Sequence, residues 1–145
     1  TAVGQYVADE SALKLQETVL RPSMGFEYEE FLHGPTSMFD VRPAGFYFLP
    51  SKSNPDRARL EALAKIHSEW GGFSITMSCG SKEAVSEEAI VVENTDEEWL
   101  YPFWQILPGQ VIGANLPEKL GLSGRGRELF SKIDNAVGVK YGGIV

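Results

Sequence analysis

Three short apolar runs constrain this chain most: Gly45 to Leu49, Phe73 to Met77, and Ala89 to Val92. Each has the length and the aromatic or β-branched content of a buried strand, and Pro50 ends the first. They read as continuous rather than alternating, and helical stretches separate them. That arrangement predicts a parallel sheet covered on both faces, in an α/β sandwich of three layers. At 145 residues the chain has room for one such domain.

The helical stretches follow from spacing and punctuation. From Val7 to Leu20 the residues Ala8, Ala12, Leu15 and Val19 recur at helical intervals, with Leu13 and Leu20 widening the stripe. Asp9 and Glu10 are expected in the first turn, where they complement the helix dipole, and Pro22 closes the far end. Beyond Gly25, helix is expected on both sides of Gly34-Pro35. Pro55 and Asp56 open another helix, in which Leu60, Leu63, Ala64 and Ile66 to Trp70 are expected to face inward until Gly71-Gly72 stops it. Lys82 to Glu88 forms an acidic connection. Thr95 to Glu98 reads as a helix start, and Pro108 should kink the helix that follows. Trp99, Phe103 and Trp104 are assigned to the core, and the tail from Gly121 is rich in Gly and positive charge.

Charge and composition exclude several functions. The net charge of -7, with Lys and Arg scattered, argues against a nucleic-acid face. No stretch approaches the roughly 20 apolar residues of a membrane helix, and the start lacks the layout of a signal peptide. The lone Cys79 sits in an apolar run, as a buried thiol in a reducing compartment would. A cytoplasmic location is therefore expected. The two histidines, with no cysteine cluster, make no zinc site, and no Gly-x-x-x-x-Gly-Lys or dinucleotide fingerprint occurs. Gly124-Arg125-Gly126-Arg127 has the donors to hold a phosphate, but reads first as solvated loop.

Acid/base chemistry has a better footing. Glu10, Lys14 and Glu17 fall on one helix face, so a cation stands among carboxylates. A nearby cation lowers a carboxyl pKa and partial burial raises it, so such a group can be poised as a base. The same spacing also makes an ordinary solvated face of i, i+3 and i, i+4 pairs. His33 precedes a Gly-Pro that restrains the backbone, and imidazole exchanges protons near neutrality; it also suits a simple turn cap. A sharp break at Met24-Gly25 followed by the His-Gly-Pro turn is expected to bring Glu17, Glu30 and His33 into one region. His67, between Ile66 and Trp70, reads as a surface or packing residue.

Glu10-Ser11-Ala12-Leu13-Lys14-Leu15-Gln16-Glu17, Glu30-Phe31-Leu32-His33-Gly34-Pro35 and the stretch from Pro102 through Pro108 to Gln110 together resemble one family. It is the second sugar isomerase (SIS) domain of the glucosamine-6-phosphate synthase isomerase module and of fructosamine-6-phosphate deglycases, and the likeness covers nearly the whole chain. The resemblance implies a flavodoxin-like α/β/α fold. It makes Glu17 the base that moves a proton between C1 and C2 of an open-chain amino-sugar or fructosamine 6-phosphate, through an enediol or enolamine. It makes His33 the ring-opening histidine, often supplied to the neighbouring subunit's site in a homodimer. It places the family's late lysine at Lys140, with Lys132 as the alternative. No cofactor is required.

The chain departs from the family where phosphate is held. The Ser-x-Ser-Gly-x-Thr loop of the first SIS domain has no counterpart, and Ser51-Lys52-Ser53-Asn54 stands at the corresponding place without the Gly and Thr. Together with the start at Thr1, this leads to the expectation that the chain is the C-terminal half of a two-SIS-domain protein. A non-catalytic phosphosugar sensor and a structural dimerisation domain are the alternatives.

Overall fold

The computed structural model describes residues 2–79, 89–92, 97–122 and 125–138. Its centre is a parallel sheet of β1 (Ala44–Phe48), β2 (Phe73–Cys79) and β3 (Ala89–Val92), in that order. Ala44 is registered on Phe73 and Phe48 on Met77, while Thr76 to Cys79 continue onto Ala89 to Val92. All three strands lie where the apolar runs predict them. The central β2 is buried almost throughout, as a strand with neighbours on both edges and layers on both faces must be. The result is the expected α/β/α arrangement.

Six helices accompany the sheet among the described residues: α1 (Ala2–Lys14), α2 (Tyr28–Leu32), α3 (Arg57–Glu69), α4 (Tyr101–Gln105), α5 (Leu107–Lys119) and α6 (Arg125–Val137). The α1 helix continues as a π-helical turn over Leu15–Val19, and short 3₁₀ segments cover Pro35–Val41 and Glu98–Leu100. Tyr47, Leu49, Leu63, Ala64 and Phe39 form the core between β1, α3 and the Pro35–Val41 segment, with Phe31 and Leu60 packed against it. Side chains alternate along β1, so Phe46 and Phe48 stack on the other face, with ring centroids 6.5 Å apart.

Several expectations need correction. The α1 helix starts at Ala2, not Val7, so Asp9 and Glu10 lie in its interior rather than its first turn. In α3 the inward stripe is Leu63, Ala64 and His67; Ile66 and Trp70 swing outward at 100° per residue, and the Trp70 indole N–H donates to Asp40 Oδ1 at 3.2 Å. The five-residue α4 turns Tyr101 and Gln105 inward, one helical turn apart, which leaves Trp99 67% and Phe103 66% exposed, and Trp104 outside as well. Pro108, lacking an N–H, breaks the chain into α4 and α5 at Ile106 and sits in the first turn of α5 instead of kinking a longer helix. Arg125–Val137 is helical, so Arg125-Gly126-Arg127 does not form the loop expected there. The Lys82 to Glu88 connection and the Thr95-Asp96 cap lie outside the described residues.

Candidate functional site

The strongest chemical grouping is on the first helix. Lys14 Nζ lies 3.0 Å from Glu17 Oε2 and 3.5 Å from Glu10 Oε1, so the three residues meet as their spacing predicts. The hydrogen bond to Glu17 and its charge, with a smaller contribution from Glu10, raise the Lys14 pKa above its ordinary value. Glu17 keeps 45% of its side chain exposed and can be reached from solvent. It lies within the π-helical turn, a local rearrangement of helix hydrogen bonding that recurs at functional sites. Leu20 ends that turn in the left-handed region at φ 56°, a conformation that costs a branched residue energy.

Close helix packing fixes this segment. Gly109 and Gly113 stand one turn apart on α5 and let it approach the first helix. A Cβ on Gly109 would stand 2.8 Å from Ser11 Oγ, and one on Gly113 3.1 Å from Thr18 Oγ1. Thr18 Oγ1 donates to the Lys14 carbonyl at 2.7 Å, so the hydroxyl facing Gly113 braces the backbone between Lys14 and Glu17. The returning chain crosses at Gly25, where a side chain would collide with the Asp9 carboxylate and backbone. The Gly-x-x-x-Gly spacing in α5 is the signal that could have revealed this contact.

His33 is mounted separately. It caps the C-terminus of α2, its N–H donating to the Glu30 carbonyl at 3.1 Å, and its side chain is exposed. The Glu27 carboxylate caps the other end, accepting from the Glu29 N–H at 2.7 Å. Arg59 of α3 clamps α2 from the side: its guanidinium donates to Glu29 Oε1 at 2.7 Å and lies over the Tyr28 ring, 4.9 Å from the centroid. Hydrogen bonds from Tyr28 and then Arg59 lower the Glu29 pKa. On either side of His33 and beyond, the rings of Phe31, Phe39 and His67 pack in series at 5.6 and 4.4 Å.

Among the described residues no side-chain hydrogen bond or ion pair joins Glu17 or Glu30 to His33; Glu30 meets it only through the backbone bond that caps α2. The Glu17 segment packs on α5, whereas α2 packs on the Pro35–Val41 segment. Lys140 lies outside the described residues, and Lys132 is on an exposed face of α6.

The strand ends carry groups that the sequence did not single out. Arg57 is buried; its guanidinium donates to the Pro50 carbonyl and to Ser78 Oγ, both at 2.8 Å, and pairs with Glu61 at 2.7 Å. It thus joins the ends of β1 and β2 to α3. The Gln105 amide donates to the Leu49 carbonyl at 2.9 Å and ties α4 to the same edge. In the loop after β1, Ser51 Oγ lies 3.1 Å from Ser53 Oγ and donates to Glu98 Oε1 at 3.1 Å, so a carboxylate engages the Ser51-Lys52-Ser53-Asn54 segment. Cys79 is fully buried, as its run predicts, and burial pushes its thiol up to about 11 despite the opposing charge of Arg57.

An open apolar cleft of about 540 Å³ lies between α1 and α4, lined mainly by Tyr6, Val7, Leu13, Phe103 and Ile106, with Asp9 and Glu10 at its edge. Among the described residues no group of three His, Cys, Asp or Glu is placed to hold a metal ion, and no helix is long and apolar enough to cross a membrane.

The fold has a counterpart among solved structures. A crystal structure from Salmonella typhimurium LT2, described by name as a sugar binding protein without an activity attached, superposes with a TM-score of 0.65 and 29% identity. The match covers 79% of this chain and 34% of that one, so the chain spans about a third of the neighbour's length. No protein-family profile matches the chain, and no curated protein does.

Proposed function

We propose that this chain is a SIS-type domain that binds a sugar phosphate and, with Glu17 as base, moves a proton between C1 and C2 of an open-chain ketose or aldose 6-phosphate. The observation that carries this reading is the Lys14–Glu17 pair: an accessible carboxylate held at 3.0 Å by a lysine that itself bonds Glu10, on a π-helical turn. Abstraction of a proton beside a carbonyl needs a base within hydrogen-bond reach and a donor for the oxyanion that develops. Glu17 is the base in this proposal. Lys14 holds it, and one carboxylate returns the proton to the adjacent carbon, so no cofactor enters. His33 is the ring-opening acid, supplied to a neighbouring subunit, and Lys140 approaches the sugar carbonyl. The exposure of His33 on its own mount and the absence of a bond between it and Glu17 support the division between subunits. The sugar-binding description of the structural neighbour supports the substrate class.

A homodimer and a preceding SIS domain belong to the same proposal. The apolar cleft beside Tyr6 and Phe103 and the neighbour's greater length support them. The second reading is a sensor that binds without turnover. It is favoured by Ser51, which is engaged by Glu98 rather than left to receive a phosphate. Titration of the chain with glucosamine 6-phosphate and fructose 6-phosphate, followed by NMR of its amides, tests binding. Glu17→Gln should leave binding intact and abolish turnover in the enzyme; absence of shifts with either sugar overturns both readings.

A further inference from the structure

We propose that His67 is an acid-sensitive tie: neutral, it holds the segment that follows His33 against the sheet, and its protonation frees that segment while the sheet stays folded. The ring is 1% exposed, and both nitrogens are used. Nε2 lies 3.0 Å from the Pro43 carbonyl, which can only accept, so Nε2 carries the hydrogen. Nδ1 lies 2.9 Å from the Tyr47 hydroxyl and accepts from it. The network therefore selects the neutral Nε2–H tautomer. Burial lowers the His67 pKa, partly opposed by the Pro43 bond.

The enclosure is tight. Phe39 stacks on one face with centroids 4.4 Å apart and planes 2° from parallel, and Tyr47 meets the ring edgewise at 5.9 Å. A Cβ at Gly72 would stand 2.1 Å from Nε2, and one at Gly45 2.9 Å from Cε1, so glycines are required on both sides. The titratable and charged groups facing this site are few. Tyr47 comes from β1, Asp40 and Arg42 from the segment before it, and the strand β2 contributes none. Asp40 accepts from Trp70, and Arg42 lies against Gly71, so neither bonds the ring. On α3 itself the neighbouring charges, Lys65 and Glu69, pair with each other outside. Among the described residues no carboxylate is bonded to the ring to stabilise an imidazolium.

A proton arriving at Nδ1 must turn the Tyr47 hydroxyl around and leaves a buried, unpaired charge. Water relieves that charge most easily by displacing the face made by Phe39. The segment Pro35–Val41 is held by side-chain contacts and its own 3₁₀ turns, whereas β1 is held by the ladder to β2. Arg42, at φ 50°, ends the segment in a strained conformation where a hinge would act. The segment begins directly after His33-Gly34, so its release also frees the His33 turn. This inference does not depend on the chain acting on sugars.

Amide hydrogen exchange of the whole chain at pH 7.5 and 5.5 tests the tie, compared as protection factors. An opening that takes up one proton at an ordinary histidine loosens about tenfold over that range. Ser37 and Arg42, whose N–H groups bond the Gly34 and Phe39 carbonyls at the two ends of the segment, should lose about tenfold in protection, while Leu49, bonded to Met77, should not change. In His67→Phe the Ser37 and Arg42 values should be flat. Unchanged protection, loss in step with Leu49, or the same loss in His67→Phe would overturn the proposal. Should that variant fail to fold, long-range proton–nitrogen NMR of the unaltered His67 ring serves. The Nε2–H tautomer should give way to imidazolium with the midpoint at which Arg42 loses protection; the other tautomer or a different midpoint would overturn it.

Discussion

Lys14 Nζ sits 3.0 Å from Glu17 Oε2, three residues along one helix face, and the hydrogen bond to Glu17 is the largest cause of the raised Lys14 pKa. The sign is that of a cation stabilised by a partner: the interaction is present below the ordinary lysine pKa and is lost as pH rises through the raised value. Glu17→Gln should therefore lower the Lys14 titration midpoint, read from the pH dependence of its Cε resonance. Glu10→Gln should lower it less. An unchanged midpoint in Glu17→Gln would mean that the pair does not persist in solution.

The two α5 glycines should differ in their tolerance of a methyl group. At Gly109 the new Cβ meets Ser11 Cβ and backbone at 2.9 and 3.1 Å as well as the hydroxyl, so neither helix can yield without shifting. Gly109→Ala should lose roughly 1–2 kcal/mol despite the helix propensity gained. Gly113→Ala meets only the Thr18 hydroxyl closely, at 3.1 Å, with its other contacts at ordinary distance, and should cost less than Gly109→Ala. Urea unfolding of both variants checks the order.

Gly72→Ala should be more damaging, because the methyl would overlap the His67 ring. A loss of about 2–4 kcal/mol is expected, and His67→Ala should cost much less in that background than alone. A double-mutant cycle by chemical unfolding gives the coupling; additive losses would separate the two residues.

Arg57→Met should leave Ser78 and the Pro50 carbonyl without their donor at the buried strand ends. The expected loss is about 2–4 kcal/mol, while Arg59→Met, at an exposed pair, should change stability by well under 1 kcal/mol. The two midpoints in urea make the comparison.

Cys79 should resist alkylation at pH 8 in the folded chain, since its thiol is buried and its pKa lies well above that pH. Iodoacetamide labelling should follow the unfolded fraction across a urea transition. Rapid labelling without denaturant would contradict its placement in β2.

The sheet was legible because its strands are short, apolar and bounded by Pro, Gly and charged stretches, and burial on both faces leaves little choice of period. The Glu10–Lys14–Glu17 face was legible because helix spacing alone decides it. Local pattern says less about which aromatic residues find a partner: Trp99 and Phe103 are as apolar as any core residue, yet the shortness of α4 leaves them outside. The burial of His67 is not legible, since Gly72 reads only as a helix stop and Gly45 and the Pro43 carbonyl converge on its ring from more than 20 residues away. Arg57 was missed for a related reason, because its partners Pro50 and Ser78 come from two different strand ends. Glu17 and His33 were expected in one region, but the Glu17 segment packs on α5 and α2 on Pro35–Val41, a difference in tertiary packing that local pattern does not encode.

Solvent-deuterium incorporation into phosphosugars tests the central claim most directly. In deuterated water the unaltered chain should place deuterium at C1 of fructose 6-phosphate or C2 of glucosamine 6-phosphate, read by proton NMR, and Glu17→Gln should place none. Equal incorporation by both chains, or none by either, would contradict a working base at Glu17 in this chain.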